Sequence, residues 1–497
     1  MKKIMNISSL SVIASAIALS LIFTGCGDTD PENEGNHKPD VNIVQNNKTI
    51  NVGTKVDLTS TAFDIDGDTL TYEWKFVSKP AGSSATLTTT TTKKASFTAD
   101  KAGEYIIQFV AKDVVDAVGK DTVTITAIEA GTISNTCINY TKISGTYSTD
   151  KTLDGCFKVV SNITVSNNAL LTIKPGSTLM FTKGTDLEVA TQGALKAVGT
   201  ATAPILFTAE QKTVGYWEGI NFYYSNNVKN ELAHIVVEYG GNGSGWHGSI
   251  HADSSESSPT RLKIRDSVIR HSFSHGFHFD EYTILDEFKR VTSTKNKLTA
   301  GSLSANALSA IDTASNFTGN LGGDYVTLNG GYVTTDSTWN KLSVPVLVKN
   351  DIDISYNSDT FLTINPGAQF VFEAGIDLEI GKKGALKAVG TAKEPIIFTA
   401  KQETKGYWEG INFYYSNNVK NELEYINVNY AGNGSGWNGA VHIDSSESSP
   451  SRVSIKNSTF SNSYKYGIWL DRYSITNSDI ASSNTFSNNT SGSIGTN

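Results

Sequence analysis

The chain has little cysteine, proline or methionine: 3 Cys, 10 Pro and 3 Met in 497 residues. So few cysteines exclude a disulfide-dense scaffold, and the stabilising core must come from buried apolar side chains. Basic residues are not in excess. The 41 Lys and Arg against 49 Asp and Glu leave a formal charge of −8, which offers no footprint for nucleic acid or an anionic lipid surface. Beyond residue 26 no apolar run approaches the roughly 20 residues that a membrane-spanning helix needs. Charged residues are only 18% of the chain, and abundant Gly, Ser, Thr and Asn favour strands and turns over helices.

What is present is a duplication. Gly215 to Leu232 reads GYWEGINFYYSNNVKNEL, and the same residues return at Gly406 to Leu423, a displacement of 191. The same offset carries GALKAVGTA from Gly193 to Gly384, NGSGW from Asn242 to Asn433 and DSSESSP from Asp253 to Asp444. A repeat of this length governs how every local motif is read.

Lys2 and Lys3 precede an apolar stretch from Leu10 to Phe23, followed by Thr24, Gly25 and Cys26. This is the layout of a secretory signal over 1–25. It resembles a bacterial lipobox, with Phe23 where leucine is usual, and the resemblance implies lipidation of Cys26 and a lipid-anchored place at the outer membrane or cell surface. Residues 26–37 are acidic and nearly free of apolar side chains, as a tether is. With Cys26 lipidated, Cys137 and Cys156 remain as an even pair in an oxidising compartment, and a disulfide between them is expected.

Residues 38–129 contain short alternating strands, among them Leu70 to Trp74 and Tyr105 to Val110, at the spacing of a small β-sandwich. Phe63-Asp64-Ile65-Asp66-Gly67-Asp68, the Leu70 to Trp74 strand and Ala102-Gly103-Glu104-Tyr105 resemble PKD and related Ig-like modules. The resemblance implies a spacer or weak contact module whose Trp fills the core. Asp64, Asp66 and Asp68 are candidate oxygen ligands for Ca²⁺, the one cofactor the sequence raises; the alternative is an acidic turn capped by its own side chains.

From about residue 130 a finer period appears. Leu171, Leu195, Ile220, Ile250, Phe277 and Leu303 each begin a short alternating strand at intervals of 24, 25, 30, 27 and 26, and copy two repeats the series from Leu362. Such a period is one coil of a solenoid, whose apolar face is buried only when coils stack. LTIKPGSTLMF, GALKAVGTATAPILFTA and GYWEGINF resemble the right-handed parallel β-helix of pectin-lyase-like proteins. The expected fold is all-β: a duplicated right-handed parallel β-helix, copy one over 130–325 and copy two over 326–497, preceded by a small Ig-like β-sandwich.

The register places candidate chemistry. If Ile250, Ala252, Phe277 and Phe279 point inward, His251, Asp253, His278 and Asp280 point outward, with His251 on His278 and Asp253 on Asp280 one coil, about 4.8 Å, apart. Two imidazoles and two carboxylates suit a transition metal, or one carboxylate raises the pKa of the other for general-acid work. Copy two keeps His442, Asp444 and Asp471 but has Trp469 where copy one has His278. A solvated polar ladder on an exposed sheet is the plain alternative. Six of the eight histidines, at 234, 247, 251, 271, 275 and 278, crowd copy one, although His247 sits in the Asn242 to Gly248 loop and His271 on another edge, so not all six share one site. Trp246 and Trp437 in their Gly-rich loops are candidate sugar-stacking surfaces, whereas Trp217 and Trp408 read as packing residues.

No complete catalytic signature is present. The motifs of polygalacturonase-like hydrolases are missing, and Trp469-Leu470-Asp471-Arg472 only loosely resembles the Trp-Ile-Asp-His of pectate-lyase-like enzymes. The expected partner is an extracellular polysaccharide or a surface protein, bound rather than turned over. The alternatives are a polysaccharide lyase or glycoside hydrolase using the Asp and His ladders, and a passive rod.

Overall fold

The protein is described from a computed structural model over residues 36–128, 137–354, 359–434 and 436–497. The expected signal segment, Cys26, most of the tether and the boundary near residue 130 lie outside the described residues. No described helix is long and apolar enough to cross a membrane. Two compact units are present, the first built mostly from residues up to 125 and the second running from 126 to the end.

In the first unit, Asp40–Ile43, Lys55–Phe63 and Lys94–Thr98 form an antiparallel sheet, and Thr71–Ser78 pairs antiparallel with Gly103–Lys112. Strict alternation in Val56, Leu58 and Ser60 buries one face. Trp74 is 2% exposed, packs 4.8 Å from the Phe109 ring and donates its indole N–H to the Thr92 carbonyl at 2.9 Å. It fills the core, as its place in the sequence implies.

The second unit is a parallel β-helix. In copy one three stacks of strands run along it. The first holds Thr178–Phe181, Ile205–Ala209, Ile235–Glu238 and Val268–Arg270. The second holds Asp186–Val189, Gly219–Tyr223, Gly248–Asp253, His275–Phe279 and Gly301–Leu303. The third holds Leu170–Ile173, Ala194–Val198, Glu231–Ala233 and Thr260–Arg265. Every strand leaves its neighbours' backbone groups paired, and the inward Val, Ile, Leu and Phe join into one core from Leu153 to Ile480.

The coil series read from the sequence needs one correction. Leu171 and Leu195 pair in the third stack, but the residue before Ile220 in the second stack is Leu187. Phe277 faces Gly301 rather than Leu303. Each coil carries three strands of similar composition, so a period alone does not tell which face is being sampled. In the second stack the successive partners Leu187, Ile220, Ile250, Phe277 and Gly301 are 33, 30, 27 and 24 residues apart. The longer coils carry the loops. Gly301 is glycine because a Cβ there would lie 2.0 Å from the Phe277 ring.

The two copies make one continuous helix. Gly301–Leu303 pairs with Val326–Leu328, then Val346–Val348, then Gln369–Phe372. Gln369–Phe372 is the copy-two counterpart of Thr178–Phe181, so the ladder that is the second stack in copy one becomes the first stack in copy two. Copy two starts a fresh second stack from Gly331–Val333 through Asp377–Ile380 and Gly439–Asp444 to Gly492–Thr496. The expected disulfide is present between Cys137 and Cys156, with Cα atoms 5.8 Å apart.

Candidate functional site

The second stack carries the site. Ile250 pairs with Phe277, His251 with His278 and Ala252 with Phe279. Ile250, Ala252, Phe277 and Phe279 are fully buried in the core, which turns the intervening residues outward. The outward column is Glu188, Asn221, His251, His278 on successive coils, and in copy two Glu379, Asn412, His442, Trp469.

His251 is not solvated, as a polar ladder would be: it is 2% exposed, and His442 5%. The loop of the 30-residue coil closes over it. The His247 backbone N–H donates to His251 Nδ1 at 3.2 Å, and the Trp246 ring centroid lies 6.3 Å from that of His251. Trp437 lies 6.4 Å from His442, edge-on at 71° where Trp246 is tilted at 39°, and His442 Nδ1 makes no hydrogen bond. Both indoles keep partial exposure. Beside them Gly219 turns at φ +129°, where a Cβ would meet the Ser249 carbonyl oxygen at 2.8 Å.

Around His251 the ring centroids of His247 and His278 lie 5.1 Å apart, as do those of His251 and His278, and His275 lies 6.4 Å from His278. The Gly-rich loop that carries His247 folds back and brings it into the cluster. His271 instead stacks on Tyr239 at 5.0 Å, and His234 sits 3.9 Å from Asp266. His251 Nε2 lies 3.2 Å from Asp253 Oδ1, and His278 Nε2 3.3 Å from Asp280 Oδ1. Burial pushes His278 down against the pull of Asp280, and burial, then His278, Lys349 and His247, push His275 down to about 3. His275 is therefore neutral at physiological pH.

The copies differ in how one amide points. Asn221 donates to Asp253 Oδ2 at 2.9 Å, whereas Asn412 donates to Glu379 Oε2 at 3.1 Å. Burial works to raise Asp253, but His251, Asn221 and His278 outweigh it and hold the carboxyl below its usual range. Asp444 lacks the amide, and burial and then Asp471 push it up to about 6. Asp471 itself accepts from Trp469 Nε1 at 2.9 Å and Asn497 Nδ2 at 3.0 Å on Oδ1, and from the Ser445 N–H at 3.2 Å on Oδ2. Copy two thus sets a protonatable carboxyl beside a carboxylate held by protein donors.

An acidic column was missed in the sequence. Burial, then Glu218 and Glu188, push Asp186 up to about 7. Burial, then Asp351 and Glu379 among others, push Asp377 up to about 8, and burial and then Glu379 raise Asp353 to about 6. Its signal is the repeated Asp-Leu-Glu of 186–188 and 377–379. Trp217 and Trp408 are packing residues, stacked on Phe181 and Phe372 at 3.9 and 4.0 Å.

The Asp64, Asp66, Asp68 turn caps itself. Asp64 Oδ1 accepts the Asp66 N–H at 3.0 Å and the Asp68 N–H at 3.4 Å, and Asp66 turns its carboxylate to His37. Asp64 Oδ1 and the Asp66 carboxylate are thereby engaged, while the buried Asp64 Oδ2 makes no hydrogen bond. Among the described residues the group that brings three ligand atoms within 4.8 Å of one another is His251, Asp253 and Asp280.

Residues 45–127 match a PKD domain family, and residues 145–257 match the pectate-lyase like beta helix domain. The chain thus carries a PKD module followed by a pectate-lyase-like β-helix. No curated protein gives a significant match. Among solved structures, a nucleoside hydrolase-related hypothetical protein from Saccharophagus degradans, associated with carbohydrate metabolism, aligns over 19% of this chain and 26% of its own at 20% identity and TM-score 0.18. The chain therefore spans about a quarter of that protein's length. The PKD domain of human KIAA0319 aligns over 22% of this chain and 99% of its own at 17% identity and TM-score 0.18. The PKD domain of the KIAA 1837 protein aligns over 21% and 98% at 17% identity and TM-score 0.16.

Proposed function

We propose that this chain is a lipid-anchored surface protein, tethered through Cys26, that binds an extracellular polysaccharide along the outward column of the second stack. The observation that carries the reading is the repeated pair of a half-exposed tryptophan over a buried histidine, Trp246 with His251 and Trp437 with His442. An indole face stacks on a sugar ring, and the part-exposed Glu188 and Glu379 of the column, with Asp253 and Asp444 beside it, accept from its hydroxyls. The match of 145–257 to a pectate-lyase-like domain supports a carbohydrate ligand. A glycan array with parallel product detection tests it. Binding should fall at least tenfold in Trp246→Ala/Trp437→Ala while the fold persists; undiminished binding, or no binding by the native chain, removes the proposal and leaves a passive rod. Loss of membrane fractionation in Cys26→Ala tests the anchor.

A second reading rests on copy two. Asp444, pushed up to about 6 beside Asp471, has the acid–base pairing that glycoside hydrolases and lyases use. On that reading the copy-two site cleaves the polysaccharide, and Asp444→Asn abolishes turnover while binding stays. No product from the native chain on acidic or neutral glycans excludes it.

A further inference from the structure

We infer that copy one holds a divalent transition-metal ion of the zinc class between His251, Asp253 and Asp280, and that copy two does not. This goes beyond polysaccharide binding and holds whether or not a glycan binds. The three donor atoms lie within 4.8 Å of one another. His251 Nε2 is 3.2 Å from Asp253 Oδ1, yet that buried nitrogen makes no hydrogen bond. Two ligands on a tetrahedral metal with bonds of about 2.0–2.2 Å stand about 3.3–3.6 Å apart, so the His251–Asp253 pair is close to the spacing of co-ligands. His251 is 2% exposed, and a buried ring nitrogen without a hydrogen bond is unfavourable unless something satisfies it. One nitrogen with two carboxylate oxygens suits zinc-class ions better than calcium, which takes six to eight oxygens. His278, 3.3 Å from Asp280 Oδ1, orients that carboxylate from behind. Three protein donors leave a fourth position for water or a ligand hydroxyl.

Copy two lacks the arrangement, although His442 Nε2 is likewise buried without a hydrogen bond. Trp469 stands in place of His278, and its indole N–H occupies Asp471 Oδ1 at 2.9 Å. His442 Nε2 is 3.6 Å from Asp471, and Asp444 and Asp471 interact with each other instead.

Ligation has a consequence for the loop above. A neutral imidazole has one N–H and one lone pair, and His251 Nδ1 now accepts the His247 N–H. Binding at Nε2 moves the ring proton to Nδ1, so the His247 peptide must turn away and carry the adjoining Trp246 with it.

The test titrates Zn²⁺ into the full chain by calorimetry and Trp emission. One Zn²⁺ should bind per chain, with Ca²⁺ at equal concentration failing to displace it, and with an emission change at the same midpoint that is lost in Trp246→Phe. Asp280→Asn and His251→Ala should each weaken binding at least tenfold, and His442→Ala should leave it unchanged. Because His251 is buried and its variant is liable to misfold, partly exposed Asp280 decides alone once circular dichroism shows a native fold. No saturable Zn²⁺ binding, binding untouched by Asp280→Asn, or equal loss in His442→Ala overturns the inference.

Discussion

His251 pairs with His278 on the next coil with ring centroids 5.1 Å apart, and at the same register of copy two His442 pairs with Trp469. His247 and His275 of the same cluster are likewise Asn438 and Tyr466 in copy two. Trp469→His should release Asp471 from the indole N–H and restore the copy-one geometry. Calorimetry should then count two Zn²⁺ per chain where the native chain binds one.

The acidic column makes stability depend on pH. Asp377 is pushed from 3.8 to about 8, first by burial and then by its acidic neighbours. A carboxyl with a raised folded pKa holds its proton longer when folded, so its stabilising contribution is complete below about pH 4 and is lost as pH rises through about 8. The native chain should melt at a lower temperature at pH 8.5 than at pH 5, and Asp377→Asn should shrink that difference. An unchanged pH profile in the variant would show that the column is hydrated.

The four conspicuous tryptophans should separate by energetics. Trp217 is fully buried, stacks on Phe181 and donates to the Glu238 carbonyl at 2.9 Å. Trp217→Ala should lose about 3–5 kcal/mol in denaturant unfolding, from the cavity and the orphaned carbonyl. Trp246→Ala, in a partly exposed loop, should lose about 1 kcal/mol or less.

Reduction should destabilise the start of the helix. The Cys137–Cys156 bridge spans a separation of 19 residues, and closing a loop of that size stabilises by about 3 kcal/mol. Cys137→Ser/Cys156→Ser should melt earlier than the oxidised chain and match it once reductant is added.

Much of this was legible in the chain. Inward Ile250 and Phe277 alternate with outward His251 and His278, so the pairing could be read from a period of two and an offset of 27. Trp217 and Trp408 could be assigned to packing because the Gly-Ile that follows each of them enters a core strand. The acidic column was not legible, since Asp186 and Glu188 look like ordinary outward strand residues until Glu218 is seen to converge on them. That the His247 loop folds back onto His251 was not legible, because a Gly-rich loop has no period from which it can be read.

The sequence by itself determined the all-β class, the duplication, the stacking of coils and which residues face outward, because those follow from side-chain alternation and repeat length. Only the tertiary structure decided which of three faces each strand joins, that the ladder changes stack at Val326–Leu328 while staying continuous, and that Trp246 covers His251. Whether Asn221 serves Asp253 while Asn412 serves Glu379 is also tertiary. Identical residues meet different neighbours there, and a carboxyl's charge is set by burial and by the donors within hydrogen-bond reach, which no linear pattern records.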